Sequence, residues 1–355
     1  MAENLTAPNF NRRWNPPQVS KFAEKARLIG WYLRETGIWC ETTDSERHFT
    51  VRSIHEMMKS TAFVAAAMSL ASRQLDHVER QQRPVTLELY QYTIQLLLRQ
   101  HAVKSDASML AACTLLCVYE MMASEVHEWR RHLKGCAGHL QAKGWNGSAN
   151  GIVKSCFWAF PRIDVWAAFV SEKTTLIPTD FWLDDMSIES VAAKGDVDEY
   201  CNLANLIFAK IVNLRATGYH ATAVRSLWDE LQTWYHLRPQ SVVCGNTFHH
   251  TGCILLLQTG ILPVAMGTPF LEETVSPLFV AGTVFSSGPG ARGLDHNIPS
   301  GRSSGRAEIT SVADVEDLYS TEKILLLKHL ARIERESGWK TSDHAATLRT
   351  LWGLE

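Results

Sequence analysis

Residues 60–75 read STAFVAAAMSLASRQL. Apolar side chains recur at Phe63, Val64, Ala67, Met68, Ala71 and Leu75, the three-and-four spacing that places them on one face of an α-helix. Ser60 stands just before the run and can accept a first-turn amide, so the spacing predicts a helix that Ser60 caps. The same pattern continues on both sides. Thr86 is expected to cap a helix striped by Leu87, Tyr90, Ile94, Leu97 and His101. Ser105 is expected to open another, striped by Met109, Ala112, Cys113, Leu116, Cys117 and Met121. An amphipathic helix follows over Trp129–Lys143 with Gly144 as its stop, and then an aromatic-rich one over Ser155–Glu172. Further helices are predicted at Glu199–Arg215, Ala221–His236, Cys253–Leu262, Thr321–Glu336 and about Ala345–Trp352.

Strand signals are scarce. Period-two alternation is almost absent, and Asn146-Gly147 sits between helical segments and not between β-branched runs. Nothing alternates strand with helix, so a doubly wound sheet is disfavoured. The expected fold class is all-α, a multi-helix body of antiparallel helix pairs joined by short loops. No helical-repeat signature recurs along the chain.

The 355 residues, 46% apolar and 20% charged, have globular proportions. Residues 1–20 are polar and hold Pro8, Pro16 and Pro17, and read as an irregular arm. Residues 21–355 are expected to form one helical domain. Within it, 12 of the 20 residues from Ser286 to Gly305 are Gly, Ser or Pro, too little apolar surface to offset the entropy of ordering, so a disordered loop is expected there. Asp180–Glu199 carries seven acids against Lys194 and reads as a solvated loop with partial helix.

Thirty-five basic residues against 37 acidic ones leave a formal charge of −2, which disfavours a bulk electrostatic grip on nucleic acid. No apolar run reaches the ~18 residues of a membrane span. The densest stretch, Met109–Tyr119, reads as a buried helix, and no membrane partner is expected. The eight cysteines show no C-x-x-C spacing and no disulfide framework, and are expected to be reduced thiols. Twelve tryptophans supply large anchors between packed elements.

Signals for chemistry are thin. His132, Cys136 and His139 share a helix face and are zinc-ligand types, but Leu133, Cys136 and Leu140 equally form a core seam, and no fourth ligand is apparent. Cys113 with Cys117, and His249 and His250 with Cys253, are weaker cases. No H-E-x-x-H, phosphate-binding glycine loop or G-x-S-x-G elbow occurs. A helical terpene synthase would need clustered carboxylates for magnesium; Asp184-Asp185 is the only Asp-Asp pair, with Glu189 next. No catalytic residue, cofactor or metal is therefore assigned.

The segment FWAFPRIDVWAAF, residues 157–169, sets Arg162 and Asp164 inside an apolar helix. Two positions apart, they face different ways, so each is expected to find a partner on another helix, as in a structural salt bridge. Pro161 is expected to kink or restart the helix.

Three patches together resemble the regulatory domain of fungal zinc-cluster transcription factors. The first runs from Trp129 through His132, Leu133 and Gly135 to Cys136. The second joins the pair Phe157-Trp158 to Arg162-x-Asp164-Val165. The third is Arg332–Trp339, with Leu351-Trp352 behind it. The resemblance implies an all-α, non-enzymatic regulatory domain, acting in the nucleus or shuttling to it, that senses a small effector or contacts partner regulators as a homo- or heterodimer. It also implies that Trp129, His132, Leu133, Gly135, Phe157, Trp158, Arg162, Asp164 and Trp339 are family-signature residues with a structural role. Control of a metabolite gene cluster is a pathway role of the kind the family has. The family reads DNA through six N-terminal cysteines holding two zinc ions. Residues 1–112 hold only Cys40, and the first thirty residues have a net charge of only +3, so direct DNA binding by these residues is not expected. A standalone module that dimerises with a full-length relative is the alternative. The tryptophans and phenylalanines are expected to line an apolar groove between helices.

Overall fold

The structure is a computed structural model that describes residues 22–99, 106–124, 126–185, 187–239, 243–257, 259, 261, 320–337 and 341–354. The arm over 1–20, the loop over 286–305 and Trp339 lie outside the described residues, as do the side chains of Trp129 and His132. Among the described residues there is no strand, and the fold is all-α.

The helices are α1 (Phe22–Trp31), α2 (Ile54–Met57), α3 (Thr61–Val78), α4 (Pro84–Arg99), α5 (Ala107–Ala123), α6 (Val126–Lys143) and α7 (Gly151–Val170). They continue with α8 (Ile188–Lys194), α9 (Val197–Thr217), α10 (Ala221–Leu237), α11 (Val243–Leu257), α12 (Ser320–Ser337) and α13 (Ser342–Trp352). α3 packs on α4 and α5, while α9 packs on α10 and α11. α7 touches α5, α6 and α9 and so joins the two groups. Buried apolar side chains form a continuous cluster running from Leu28 to Leu348.

Helix starts follow local chemistry, and several differ from the sequence reading. Ser60 caps α3 as expected, its hydroxyl accepting the Phe63 amide at 3.3 Å. Thr86 is not a cap. α4 begins at Pro84, whose missing N–H and fixed φ suit a first turn. The Thr86 hydroxyl is buried instead, donating to Asp76 Oδ2 at 2.6 Å and lying 2.6 Å from Ser72 Oγ. Asp106, and not Ser105, caps α5; its carboxylate accepts the Met109 amide at 3.1 Å. α7 starts at Gly151, a turn ahead of Ser155, and runs through Pro161 without restarting. α11 starts at Val243, ten residues before the predicted Cys253, because Thr247, His249, His250 and Thr251 interrupt the apolar spacing without interrupting the helix.

The stretch after α1 shows no clean period in the sequence. It folds as a π-helical turn over Tyr32–Thr36, a 3-10 turn over Gly37–Cys40 and a second π-helical turn over His48–Arg52. Gly37 permits this: a Cβ there would lie 2.6 Å from Thr50 Cγ2 and 2.9 Å from Tyr32 O. Several of the large aromatics are packed away from any surface. Trp182, Trp234, Tyr200 and Phe157 are fully buried in packing. The seven described cysteines are free thiols. Burial pushes Cys40 and Cys253 up to about 12, and Cys156 well above the usual thiol value.

Asp106→Ala is expected to lower stability by about 1 kcal/mol in urea denaturation, and Asp106→Asn to stay within a few tenths of wild type, because asparagine caps as well as aspartate.

Candidate functional site

α7 carries two charges that diverge as their spacing requires. Arg162 donates to Thr43 Oγ1 at 2.6 Å and to the Cys40 carbonyl at 3.2 Å. Thr43 in turn donates to Asn202 Oδ1 on α9 at 2.5 Å. One guanidinium thus ties α7 to the turn over residues 40–43, and through it to α9. Asp164 faces the other way and is fully buried. It accepts the Leu176 amide at 2.6 Å. The charge that bears on Asp164 is Arg130 of α6, across a helix interface, although that guanidinium spends its own hydrogen bonds on Ser171 Oγ and Thr174 O. Both charges thus bond to neutral groups of neighbouring loops, with Arg130 of α6 acting on Asp164 across the helix interface. Burial pushes the Asp164 carboxyl up to about 6, against the downward pull of the Leu176 amide and of Arg130.

Aromatic side chains complete the same region. Phe157, Trp158 and Trp182 meet edge to face, with centroids 5.3–6.3 Å apart. Trp158 Nε1 donates to Gly147 O at 3.2 Å, and Trp182 Nε1 to Ile177 O at 3.1 Å. Gly147 N–H donates to Trp182 O at 2.8 Å, and a Cβ on Gly147 would lie 2.5 Å from the Trp158 ring. Only glycine fits beneath that ring.

Sequence reasoning missed a buried polar turn over residues 41–50. The Glu41 carboxylate accepts the Thr50 amide at 2.7 Å and the Thr50 hydroxyl at 2.9 Å. Asp44 accepts the His48 amide at 2.8 Å and meets His48 Nδ1 at 2.8 Å, while Ser155 Oγ lies 3.1 Å from the same Nδ1. Glu46 lies 3.2 Å from Nε2. Serine, histidine and aspartate are the members of a hydrolase triad, but a proton relay needs serine and acid on opposite ring nitrogens. Here Ser155 and Asp44 share Nδ1 while Glu46 meets Nε2, so both ring nitrogens are engaged and the contacts fix the imidazole in the turn. Nothing in the local spacing signalled it, because Ser155 reaches His48 from over a hundred residues away.

Of the remaining sequence candidates, Leu133 is buried on α6 while Gly135 sits on its exposed face with open space around it. Trp129 and His132 lie on α6 with side chains outside the described residues. Cys136 Sγ is 3.6 Å from Cys117 Sγ, and His139 packs edge-on against Trp145. His249 stacks on Tyr235, and burial, together with the charges of His250, Arg238 and His236, drives it down to about 3. Among the described residues, no three His, Cys, Asp or Glu side chains gather to hold a metal ion. Asp184 accepts Asn146 Nδ2, Asp185 accepts the Ser187 amide and Ser190 hydroxyl, and Glu189 accepts the Ser187 hydroxyl. These acids order the entry to α8. No described helix is long and apolar enough to cross a membrane.

Comparison with known proteins places this web. The profile described as "Fungal specific transcription factor domain" matches residues 39–217. The transcription activator AMTR1 of Alternaria alternata is 23% identical over 184 residues, covering 39% of this chain and 24% of that protein. The chain thus spans about a quarter of that relative's length. No solved structure matches.

Two substitutions probe the web. Asp164 has a folded-state pKa of about 6 against an ordinary 3.8, so its favourable contribution is complete below about pH 4 and is lost as pH rises through 6. Asp164→Asn, permanently neutral, is expected to gain about 2–3 kcal/mol on wild type as pH climbs from 4 to 7, read from urea melts at each pH. Gly147→Ala forces a methyl into the Trp158 ring and is expected to cost about 1–3 kcal/mol, with a shift in tryptophan emission.

Proposed function

The chain belongs to the fungal-specific transcription factor domain family, and from that premise we propose that it regulates transcription in the nucleus as a non-enzymatic sensing and contact domain. It responds to a small effector, and it contacts partner regulators as a homo- or heterodimer. The observation that carries this reading is that the matched span takes in α2 to α9, the helices that hold both Arg162 and Asp164 with their partners. The span opens at Trp39, beside the turn that Arg162 clamps, and closes at Thr217, the last residue of α9. The printed name of the Alternaria relative, a transcription activator, supports the same direction.

The way polar groups are spent also supports a role without bond chemistry. Ser155 and His48 are used to hold a turn, and Arg162 and Asp164 to hold loops. A helical body with clamped loops gives a surface whose arrangement a ligand or partner can bias by binding one state better than another. Control of metabolite genes is the pathway role that fits this reading.

Fusion of the chain to an unrelated DNA-binding domain, in a fungal host with a matching reporter, is expected to change transcription severalfold. The Arg162→Ala fusion, with its clamp removed, is expected to lose most of that change at equal protein level. A reporter that stays at baseline with the fusion expressed and nuclear counts against the reading.

A further inference from the structure

Where the end of α3 meets α12 and α13, a groove of about 800 Å3 is lined by Arg73, Arg80, Arg335 and Arg349, with Asp76 and Glu334 as its acids. That volume lies in the range of small-molecule sites. Both acids are already engaged. Asp76 Oδ2 accepts the Thr86 hydroxyl at 2.6 Å and the Arg83 amide at 3.2 Å, and its Oδ1 faces the Arg83 guanidinium at 3.4 Å. Glu334 Oε2 accepts the Thr341 amide at 2.9 Å and the Thr341 hydroxyl at 3.3 Å. Arg73 donates to the Met122 carbonyl at 3.1 Å. The side chains of Arg80 and Arg349 make no hydrogen bond or ion pair among the described residues. His77 Nε2, 2.8 Å from Glu334 O, ties the α3 wall to the α12 wall. The lining arginines thus outnumber the lining acids in a concave space, where the fields of neighbouring guanidiniums add.

Arg80 supplies an independent observation. α3 ends in a Schellman arrangement: Gln81 N–H donates to Asp76 O at 2.8 Å and Arg80 N–H to His77 O at 3.2 Å. Arg80 occupies the left-handed position of that motif, with φ 53°. Glycine or asparagine suits this position, and a side chain there is strained. The arginine is exposed, so packing does not demand it. From this position Arg80 lines the groove.

We propose that this groove binds a small polyanion carrying two or more phosphate or carboxylate groups, which the planar guanidiniums recognise as paired acceptors. A long duplex fits less well, because the basic surface is a pocket between three helix ends on a chain whose formal charge is −2. The proposal deepens the sensing role by giving it a place and a ligand class. It rests on that role only for the meaning of binding, which calorimetry measures without it.

The test is titration of the full chain at physiological salt with inorganic pyrophosphate and, separately, with citrate; the two arms distinguish phosphate from carboxylate. At least one is expected to saturate a single site. Arg80→Gly and Arg349→Ala are each expected to weaken it roughly tenfold. Arg80→Gly is also expected to melt no lower than wild type, since glycine fits the left-handed position. Binding lost without stability lost marks a ligand role. Saturation by neither probe, variants that bind like wild type, or a groove that takes only an acidic peptide or duplex DNA overturns the proposal. Probe binding that leaves the fusion reporter unmoved keeps the site and counts against effector sensing. A reporter response to some other molecule, with no anion bound, does the reverse.

Discussion

Two charges placed two residues apart on a buried helix point away from each other, and neither can be left without a polar partner in a low-dielectric interior. That constraint organises the body. Arg162 reaches one side of α7 and fastens the turn over residues 40–43; Asp164 reaches the other and fastens the loop at Leu176. Because α7 also touches α5, α6 and α9, the two loops are held against the same rod that joins the two helix groups. Loss of either side chain would leave the opposing polar groups buried and unmatched, so the pair serves as one clamp with two arms.

The clamp explains why aromatic mass sits where it does. Trp158 and Trp182 are buried, yet each has an N–H that must be satisfied, and each finds a loop carbonyl, Gly147 O for Trp158 and Ile177 O, next to the clamped Leu176, for Trp182. Gly147 completes the fit from below. Large rings therefore act as wedges between loop and helix. The groove lined by the arginines lies elsewhere, where the end of α3 meets α12 and α13.

Sequence legibility followed the reach of the interactions. α3 was plain because its cap and its stripe are local: Ser60 and the residues three and four apart settle it. α4 opens three residues ahead of the helix that a Thr86 cap would start, since Pro84 already begins it and Thr86 is drawn away by Asp76. α11 lost its first ten residues to polar positions that the helix tolerates by bonding within itself, as Thr251 does to Thr247 O. The turns over residues 32–52 had no readable period because Gly37, Thr50 and Tyr32 fix one another by contact. At the site, the divergence of Arg162 and Asp164 was legible from their spacing, but the identity of their partners was not. The arginines of the groove, scattered from Arg73 to Arg349, show no proximity until the chain is folded.

The buried thiols carry one more implication. Cys40, Cys156 and Cys253 are enclosed and hold their protons far above neutral pH, so almost none of the nucleophilic thiolate is present while the body is closed. At these three sulfurs an alkylating reagent or a burst of peroxide meets enclosed, protonated thiols in that state and reactive ones only after the helices part. Labelling kinetics there would therefore act as a clock for opening, and the fold itself shelters these thiols from oxidants.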